Sequence, residues 1–435
     1  MPTKLNNKIS DFIRRITRLD IVKVFSFTAM STLVRMLTGL ISVKIVASII
    51  GPAGVALVGQ LNNFATMALS LSTGGINSGI TKYIAEYKND NSKIKDCLST
   101  AFKITLLCSL LVGLTLILFH DILSQSVMLS PGYGYVFIIF GFTILLYALN
   151  MGLASIINGF KEFQKYVKVN IAGSILGLVF TLSLVWIWEL KGALISAVTF
   201  QSIMLFVSLW MIRKAPWLKW ENFKQKLNND LARKYLNYSL MAFATASVTP
   251  ISQMLLRGYV ISEISATEAG WWEAMNRISN MYLMVITTSF SVYYLPRLSE
   301  LTNKKELRNE ICRSYKVIIP CLLAGLTIIY LLRHLVIKLL FTPEFLPMEN
   351  LFIWQLGGDF FKITSWLLAY LMVAKTMTKW YIVTEFGFTL LFVGLGFIFM
   401  YNNGVVGITQ AYLINYIAYS LMMIFIFRKL LFYGK

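Results

Sequence analysis

Apolar residues in this chain come in long unbroken blocks, not in the alternation of a half-buried strand or the three-and-four spacing of a water-facing helix. About twelve blocks approach or exceed the ~20 residues that a helix needs to cross a bilayer core of ~30 Å. They cover residues 21–50, 57–81, 98–119, 135–160, 169–189, 192–212, 235–258, 269–296, 315–340, 351–374, 380–400 and 405–427. A spanning backbone has no water to bond to, so each block is expected to be helical. The expected fold is an all-α polytopic membrane protein with twelve transmembrane helices.

Polar residues inside the blocks form stripes. In the first span Thr28, Ser31, Arg35, Thr38 and Ser42 follow spacings of three and four and share one helical face. Arg35 lies near mid-membrane, where a cation costs roughly 2.5 to 3.5 kcal/mol. Two readings fit it: an arginine satisfied by packed neighbours, or an anion site in a membrane cavity. The second span carries Gln60, Asn63, Ser70, Gly74, Asn77 and Thr81, with Gly74, Gly75 and Gly79 serving either close helix packing or a bend. The eighth span aligns Glu273, Asn276, Arg277 and Asn280. Glu273 and Arg277, four apart, fit a closed pair, or a division in which Arg277 meets cargo phosphate and Glu273 a coupling cation.

The tenth span aligns Gln355, Asp359, Lys362, Trp366 and Tyr370. Asp359 and Lys362 again fit a closed pair. Leu145 stands at the matching place in the first half, so Asp359 is also a candidate for proton or sodium binding. Arg257 ends the seventh span, where snorkelling to headgroups is one expectation. Pro250 is expected to kink that span, and Trp271 with Trp272 to sit at the membrane interface. Arg35, Lys44, Arg257, Arg277 and Lys362 outnumber Glu273 and Asp359 among the embedded charges, so the expected cavity is net cationic and suits an anionic cargo. Gln60, Asn63, Asn276 and Asn280 are the neutral polar groups that a sugar would use.

Composition agrees: of 435 residues 57% are hydrophobic and 14% charged, with mean hydropathy +0.66. The spans leave no room for a soluble catalytic domain, which argues against a glycosyltransferase or polymerase. The net charge of +20 is distributed by topology, which points away from nucleic acid. Lys and Arg cluster in the N-terminus and in alternate connections at 82–103, 161–168, 213–234 and 297–316. Residues 51–56, 120–134, 259–268 and 401–404 contain neither. The positive-inside rule then puts both termini in the cytoplasm, with inner-leaflet lipid as the partner of the excess charge. Arg333 and Lys338 are the exception. Residues 1–20 are expected to form an amphipathic surface helix. Cys97, Cys108, Cys312 and Cys321 form no C-x-x-C, and His120 and His334 lie at outer helix ends, so no metal or cofactor is expected beyond a proton or sodium.

The two halves match at an offset of about 215 residues, as parallel transporter repeats do. Gly192-Ala193 lies over Gly407-Ile408, Lys161 and Lys165 over Lys375 and Lys379, Ala53-Gly54 over Ala269-Gly270, and His120 over His334. The expected organisation is a six-helix bundle at 21–214, a linker at 215–234, a second six-helix bundle at 235–429 related by pseudo-two-fold symmetry, and a tail at 430–435. The linker fits either a surface-lying amphipathic helix or a solvated connector.

The segments GPAGVALVGQLNNF (51–64), GGINSGITKYIAEY (74–87), SFSVYYLPRLSELT (289–302), WQLGGDFFKITSW (354–366) and YLMVAKTMTKWYIVTE (370–385) resemble the Wzx-type polysaccharide translocases of the multidrug/oligosaccharidyl-lipid/polysaccharide exporter superfamily. The resemblance runs along nearly the whole chain. It implies an inner-membrane flippase, not an enzyme, that moves an undecaprenyl-diphosphate-linked oligosaccharide to the periplasmic leaflet by alternating access. Enterobacterial common antigen lipid III and O-antigen repeat units are the cargo types implied, with a polysaccharide polymerase and a chain-length regulator as implied partners. Arginine forks in a cationic cavity would hold the diphosphate. A multidrug exporter of the same superfamily is the alternative; organic cations would call for an acidic cavity.

Overall fold

The computed structural model describes residues 20–301 and 303–432, and all regular elements among them are helical. The N-terminal amphipathic segment lies outside the described residues, apart from Asp20, as do the last residues of the tail. The helices are α1 (Asp20–Ser72), α2 (Asn77–Glu86), α3 (Asn91–Leu118), α4 (His120–Val127), α5 (Gly134–Gly159), α6 (Phe163–Ile212), α7 (Asn229–Tyr259), α8 (Ala266–Ser289), α9 (Leu295–Glu300), α10 (Lys304–Leu331), α11 (Arg333–Leu340), α12 (Glu349–Ala374) and α13 (Thr378–Phe432).

Three of these are too long for a single crossing, and each folds back at one residue. Gly51 (φ 64°, ψ −177°) turns α1, Glu189 (φ 47°, ψ −122°) turns α6, and Gly404 (φ 57°, ψ −144°) turns α13. With those reversals every expected span falls on helical elements, the second and the ninth each divided between two helices, and the chain is a multi-pass membrane protein. Among the described residues six helices, α1, α3, α5, α6, α10 and α13, are long and apolar enough to cross a membrane by length and composition alone. Of the embedded charges Arg35 and Lys44 lie on α1, and the rest on the less apolar α7, α8 and α12. A helix of that kind is tolerated when its neighbours shield it from lipid.

The repeated sequence reappears as repeated backbone. Lys161 and Thr376 both take positive φ at the same offset of about 215 residues, and so do Glu189 and Gly404. Beside those turns, a Cβ on Gly192 would lie 1.9 Å from the Leu184 carbonyl oxygen, and one on Gly407 2.3 Å from that of Phe399. Both places need glycine for the same close approach.

Early and late spans meet at both ends, with Tyr235 Oη donating to the Cys97 carbonyl at the basic end. At the opposite end a Cβ on Gly270 would sit 2.0 Å from the Pro52 carbonyl oxygen, so α8 and α1 touch backbone to backbone there. Within the later half Trp271 Nε1 donates to the Glu344 carbonyl at 2.9 Å. Val43, Ala47, Val55 and Ala56 of α1 belong to the apolar core built mainly by α8, α10, α12 and α13.

Three expectations change. The ninth span ends at Leu331, and the segment bearing Arg333 and Lys338 is the separate helix α11; Arg333 bonds the Tyr330 carbonyl and covers that ring, 4.4 Å from its centroid. The linker is neither a surface helix nor a solvated connector. Trp217 is buried and stacks on Phe160, Trp220 and Phe223 pack edge-on against Phe102, and α7 already begins at Asn229. Its Gln225 carbonyl accepts from Ser99 Oγ and Lys103 Nζ, so aromatic anchors and carbonyl bonds replace helix amphipathicity. Pro250 lies inside α7, Asn229–Tyr259. Finally, Gly74 and Gly75, both at positive φ, break the helix outright between α1 and α2. A Cβ on Gly75 would come within 3.0 Å of Ser239 backbone, so bend and close packing coincide.

Candidate functional site

Two cavities take up part of the polar stripes of the first, second and tenth spans. The first, of about 690 Å³, lies among α1, α2, α5 and α6. Arg35, Thr38 and Ser42 line it as one face, as the spacing in the first span requires; the side chain of Thr28 lies outside the described residues. Opposite them stand Asn150, Asn170 and Gln201. Arg35 Nη2 reaches Asn170 Oδ1 at 3.5 Å, its one side-chain hydrogen bond among the described residues and a long one. No acidic side chain is among the lining residues. Asn77, also in the lining, holds a buried Oδ1 without a partner among the described residues. The result is one cation in a basin of neutral hydrogen-bonding groups.

The second cavity, of about 510 Å³, occupies the corresponding place in the later half, among α7, α8, α12 and α13. Lys362 and Glu385 line it with Trp366, Tyr381, Tyr412 and Tyr416. Lys362 Nζ sits over the rings of Trp366, Tyr416 and Tyr412 at 5.1, 5.3 and 5.4 Å from their centroids, within cation–π range. Asn415 Oδ1 is a second buried acceptor with no partner among the described residues. Aromatic faces with scattered hydroxyl and amide groups suit the apolar and polar sides of a sugar ring.

Asp359 is fully buried beside this cavity. The expected closed pair with Lys362 is corrected, because no ion pair joins them among the described residues. Instead Ser279 Oγ donates to Asp359 at 2.7 Å, Tyr412 Oη donates at 2.7 Å, and the Tyr282 hydroxyl donates to the same carboxylate. Three hydroxyl donors from two helices meet the rule that a buried carboxylate must be bonded.

The remaining charges are held in place. Glu273 bridges two arginines, with Oε2 2.5 Å from Arg257 Nη2 and Oε1 3.0 Å from Arg277 Nε. The pair of Glu273 and Arg277 is therefore closed, and Arg257 joins it as a third member. Snorkelling is corrected for Arg257, which is 0% exposed, donates to Gln60 Oε1 at 3.3 Å and lies 5.4 Å from the Trp272 ring centroid. Trp272, expected at the interface, is buried under that guanidinium. Gly59 makes room for the cluster, since a Cβ there would lie 2.5 Å from the Glu273 carboxyl carbon. Gln60 also donates to the Met254 carbonyl and Asn63 to Gln253 Oε1, so these two amides tie α1 to α7. Asn280 is exposed, and Asn276 is half-buried with its Nδ2 unpartnered among the described residues.

Lys44 leaves the expected cationic set as well. Its Nζ donates to the carbonyls of Lys338 and Phe341, at 3.3 and 3.4 Å, and so caps the C-terminal end of α11. The single positive pocket expected from sequence is corrected to a dispersed arrangement: Arg35 lines one cavity, Lys362 the other, and Arg257 with Arg277 is neutralised in part by Glu273.

Sequence reasoning missed Glu385, Asn170 and the Tyr412–Tyr416 pair. Glu385 is the single charged residue of the span 380–400, the same signal that singled out Arg35. Tyr412 and Tyr416 stand four apart on one face, though tyrosine in a membrane helix reads first as an interface residue.

The comparisons agree with this architecture. The lipid II flippase MurJ in an inward closed conformation superposes with a TM-score of 0.72, at 16% identity over 94% of this chain and 90% of that one. An inward-facing multidrug resistance MATE family transporter of the MOP superfamily gives a TM-score of 0.72 at 15% identity, over 92% of this chain and 98% of that one. At such identities these likenesses speak for the fold. In sequence, the lipid III flippase of Escherichia coli (strain K12) is 30% identical over 408 residues, 92% of this chain and 96% of the relative, and the lipid III flippase of Shigella flexneri matches with the same figures. A family model described as polysaccharide biosynthesis protein matches residues 21–302. With more than half of its length matched by that model, and a full-length relative at 30% identity, the chain belongs to the polysaccharide biosynthesis protein family.

Proposed function

We propose that this protein is a flippase for a lipid-linked oligosaccharide carried on a diphosphate, moving it from the cytoplasmic to the periplasmic leaflet of a bacterial inner membrane. The observation that carries the reading is Arg35, one cation with a single long polar contact in a cavity otherwise lined by neutral hydrogen-bonding side chains. A guanidinium so placed supplies paired N–H donors to a phosphate, and the surrounding amides and hydroxyls suit sugar hydroxyls. The similarity to proteins named lipid III flippase supports the same cargo class, either lipid III or an O-antigen repeat unit.

In this reading residues 21–214 and 235–429 are two like-oriented bundles, both termini are cytoplasmic, and the contacts around Gly270, Pro52 and Glu344 close the periplasmic side. The backbone turns that recur in both halves and the paired cavities support rocking of one bundle against the other. Asp359, beside Lys362 and Glu385, is the proposed site for a coupling proton or sodium. Glu273 is withdrawn from that role because two arginines occupy its oxygens. A polymerase and a chain-length regulator are the proposed partners downstream.

Complementation tests the reading. Expression in strains that each lack one translocase is expected to restore surface glycan in the strain whose repeat unit this chain carries. Failure to restore glycan in any of them, with the protein present in the membrane, would overturn it.

A further inference from the structure

α8 separates two kinds of space. On one face Thr287 lines the Lys362 cavity, and on another Ile286, Ser289 and Phe290 line a groove of about 680 Å³ against α10. The α10 wall is formed by Val317, Cys321, Leu322, Gly325 and Ile329. From Arg313 to Ile329 that wall runs about 24 Å at ~1.5 Å per residue. This is most of the ~30 Å hydrocarbon thickness. A Cβ built on Gly325 meets nothing within 4 Å, so the groove is open at that point, and Val317 and Cys321 are exposed.

The two ends of the groove differ from its apolar middle. At the basic end Arg313 is exposed and has no carboxylate partner among the described residues, while the neighbouring Glu310 lies 4.0 Å from Arg297. The inner edge is Tyr282, whose hydroxyl donates to Asp359. Between groove and cavity the wall is two rings thick: Phe290, lining the groove, packs edge-on against Tyr370, ring centroids 5.4 Å apart, and Tyr370 lines the cavity. The π-turn Phe290–Tyr294 widens the backbone at this wall, a feature often found at functional positions. On its far side α8 meets Arg35's helix, where a Cβ on Gly39 would lie 3.9 Å from the Met281 methyl.

An apolar slot with an exposed guanidinium at its rim, separated by a pair of packed rings from a polar cavity, fits an amphiphile with an anionic head and a long thin tail. We infer that the groove between α8 and α10 seats the isoprenoid tail of the lipid-linked cargo, with Arg313 meeting its diphosphate at the rim. The inference rests on the proposed function. Charge complementarity and continuity with the cavity select a phosphate-headed prenyl chain over the neutral part of a bulk phospholipid.

The test compares binding of undecaprenyl diphosphate and geranyl diphosphate to purified full-length protein in detergent. Wild-type protein is expected to favour the long chain at least tenfold. Gly325→Phe, which fills open space, and Val317→Trp, on an exposed position, are expected to bring that advantage within twofold and leave geranyl diphosphate binding unchanged, which also reports that the variants are folded. Variants that keep the tenfold preference would overturn the groove assignment while leaving the cargo reading intact. Equal competition by a zwitterionic phospholipid would identify the groove as a general lipid seat and overturn it as well. Wild-type protein that binds neither prenyl diphosphate would overturn the cargo reading, and this inference with it.

Discussion

Arg35 and Arg257 are both arginines in apolar helices, and their surroundings give them opposite roles. Arg35 faces a cavity with one long contact, whereas Arg257 is fully buried and paired with Glu273. Arg35→Ala is expected to lower glycan export at least about tenfold and leave thermal unfolding in detergent nearly unchanged, since a charged hydrogen bond to cargo contributes about 1.5–3 kcal/mol. Arg257→Ala leaves Glu273 with half its compensation, and breaking a buried pair costs about 3–5 kcal/mol, so that variant is expected to melt early. Equal melting of the two variants would refute the division. The first residue was legible in sequence because its stripe is local. Arg257 was not, because it ends its span like a snorkelling side chain and its partner Gln60 comes from a distant span. Asp359 was singled out by its absence from the other repeat, but its three hydroxyl partners depend on how α8 and α13 pack around α12.

At the scale of the element, the reversals are the informative features. Glu189 holds positive φ where its repeat counterpart is Gly404. A non-glycine residue in such a region carries about 1–3 kcal/mol of strain. Glu189→Gly is therefore expected to stabilise by about 1 kcal/mol, after allowing for the greater freedom of glycine in the unfolded chain, measured as a higher unfolding temperature. Gly270→Ala has the opposite character. Its methyl meets the Pro52 carbonyl, so the α1–α8 contact must open, and spin labels near residues 52 and 270 are expected to move apart by a few Å. An unchanged spacing would show that the contact yields elsewhere. Most span positions were legible because length and hydropathy fix them, whereas the breaks at Gly74–Gly75 and after Leu331 depend on backbone turns inside apolar sequence. The linker was not, because aromatic anchors such as Trp217 on Phe160 become visible only when distant spans are brought together.

The whole molecule repeats its backbone turns and its cavities but not their chemistry. The first cavity has a cation and no acid, and the second is lined by both Lys362 and Glu385 beside the buried Asp359. In the proposed reading the first half offers Arg35 to the headgroup, while the second holds the proposed coupling carboxylate Asp359 and the groove proposed for the tail. Collapsing both proton and sodium gradients is expected to abolish directional transport by wild-type protein, and Asp359→Asn is expected to be insensitive to either gradient. Sequence made the doubling visible through Lys161 over Lys375 and Gly192 over Gly407. It did not reveal the division of labour, because the charges that looked like one pocket are distributed by packing into two cavities, an ion triad and a helix cap. The most direct test of the account is flipping of an undecaprenyl-diphosphate-linked oligosaccharide in vesicles containing the purified protein, read by enzymatic access to the sugar on one face. The account predicts rapid transfer with wild-type protein and a rate at least about tenfold lower with Arg35→Ala, the loss of ~1.4 kcal/mol or more of binding. Transfer at the wild-type rate by Arg35→Ala would contradict it.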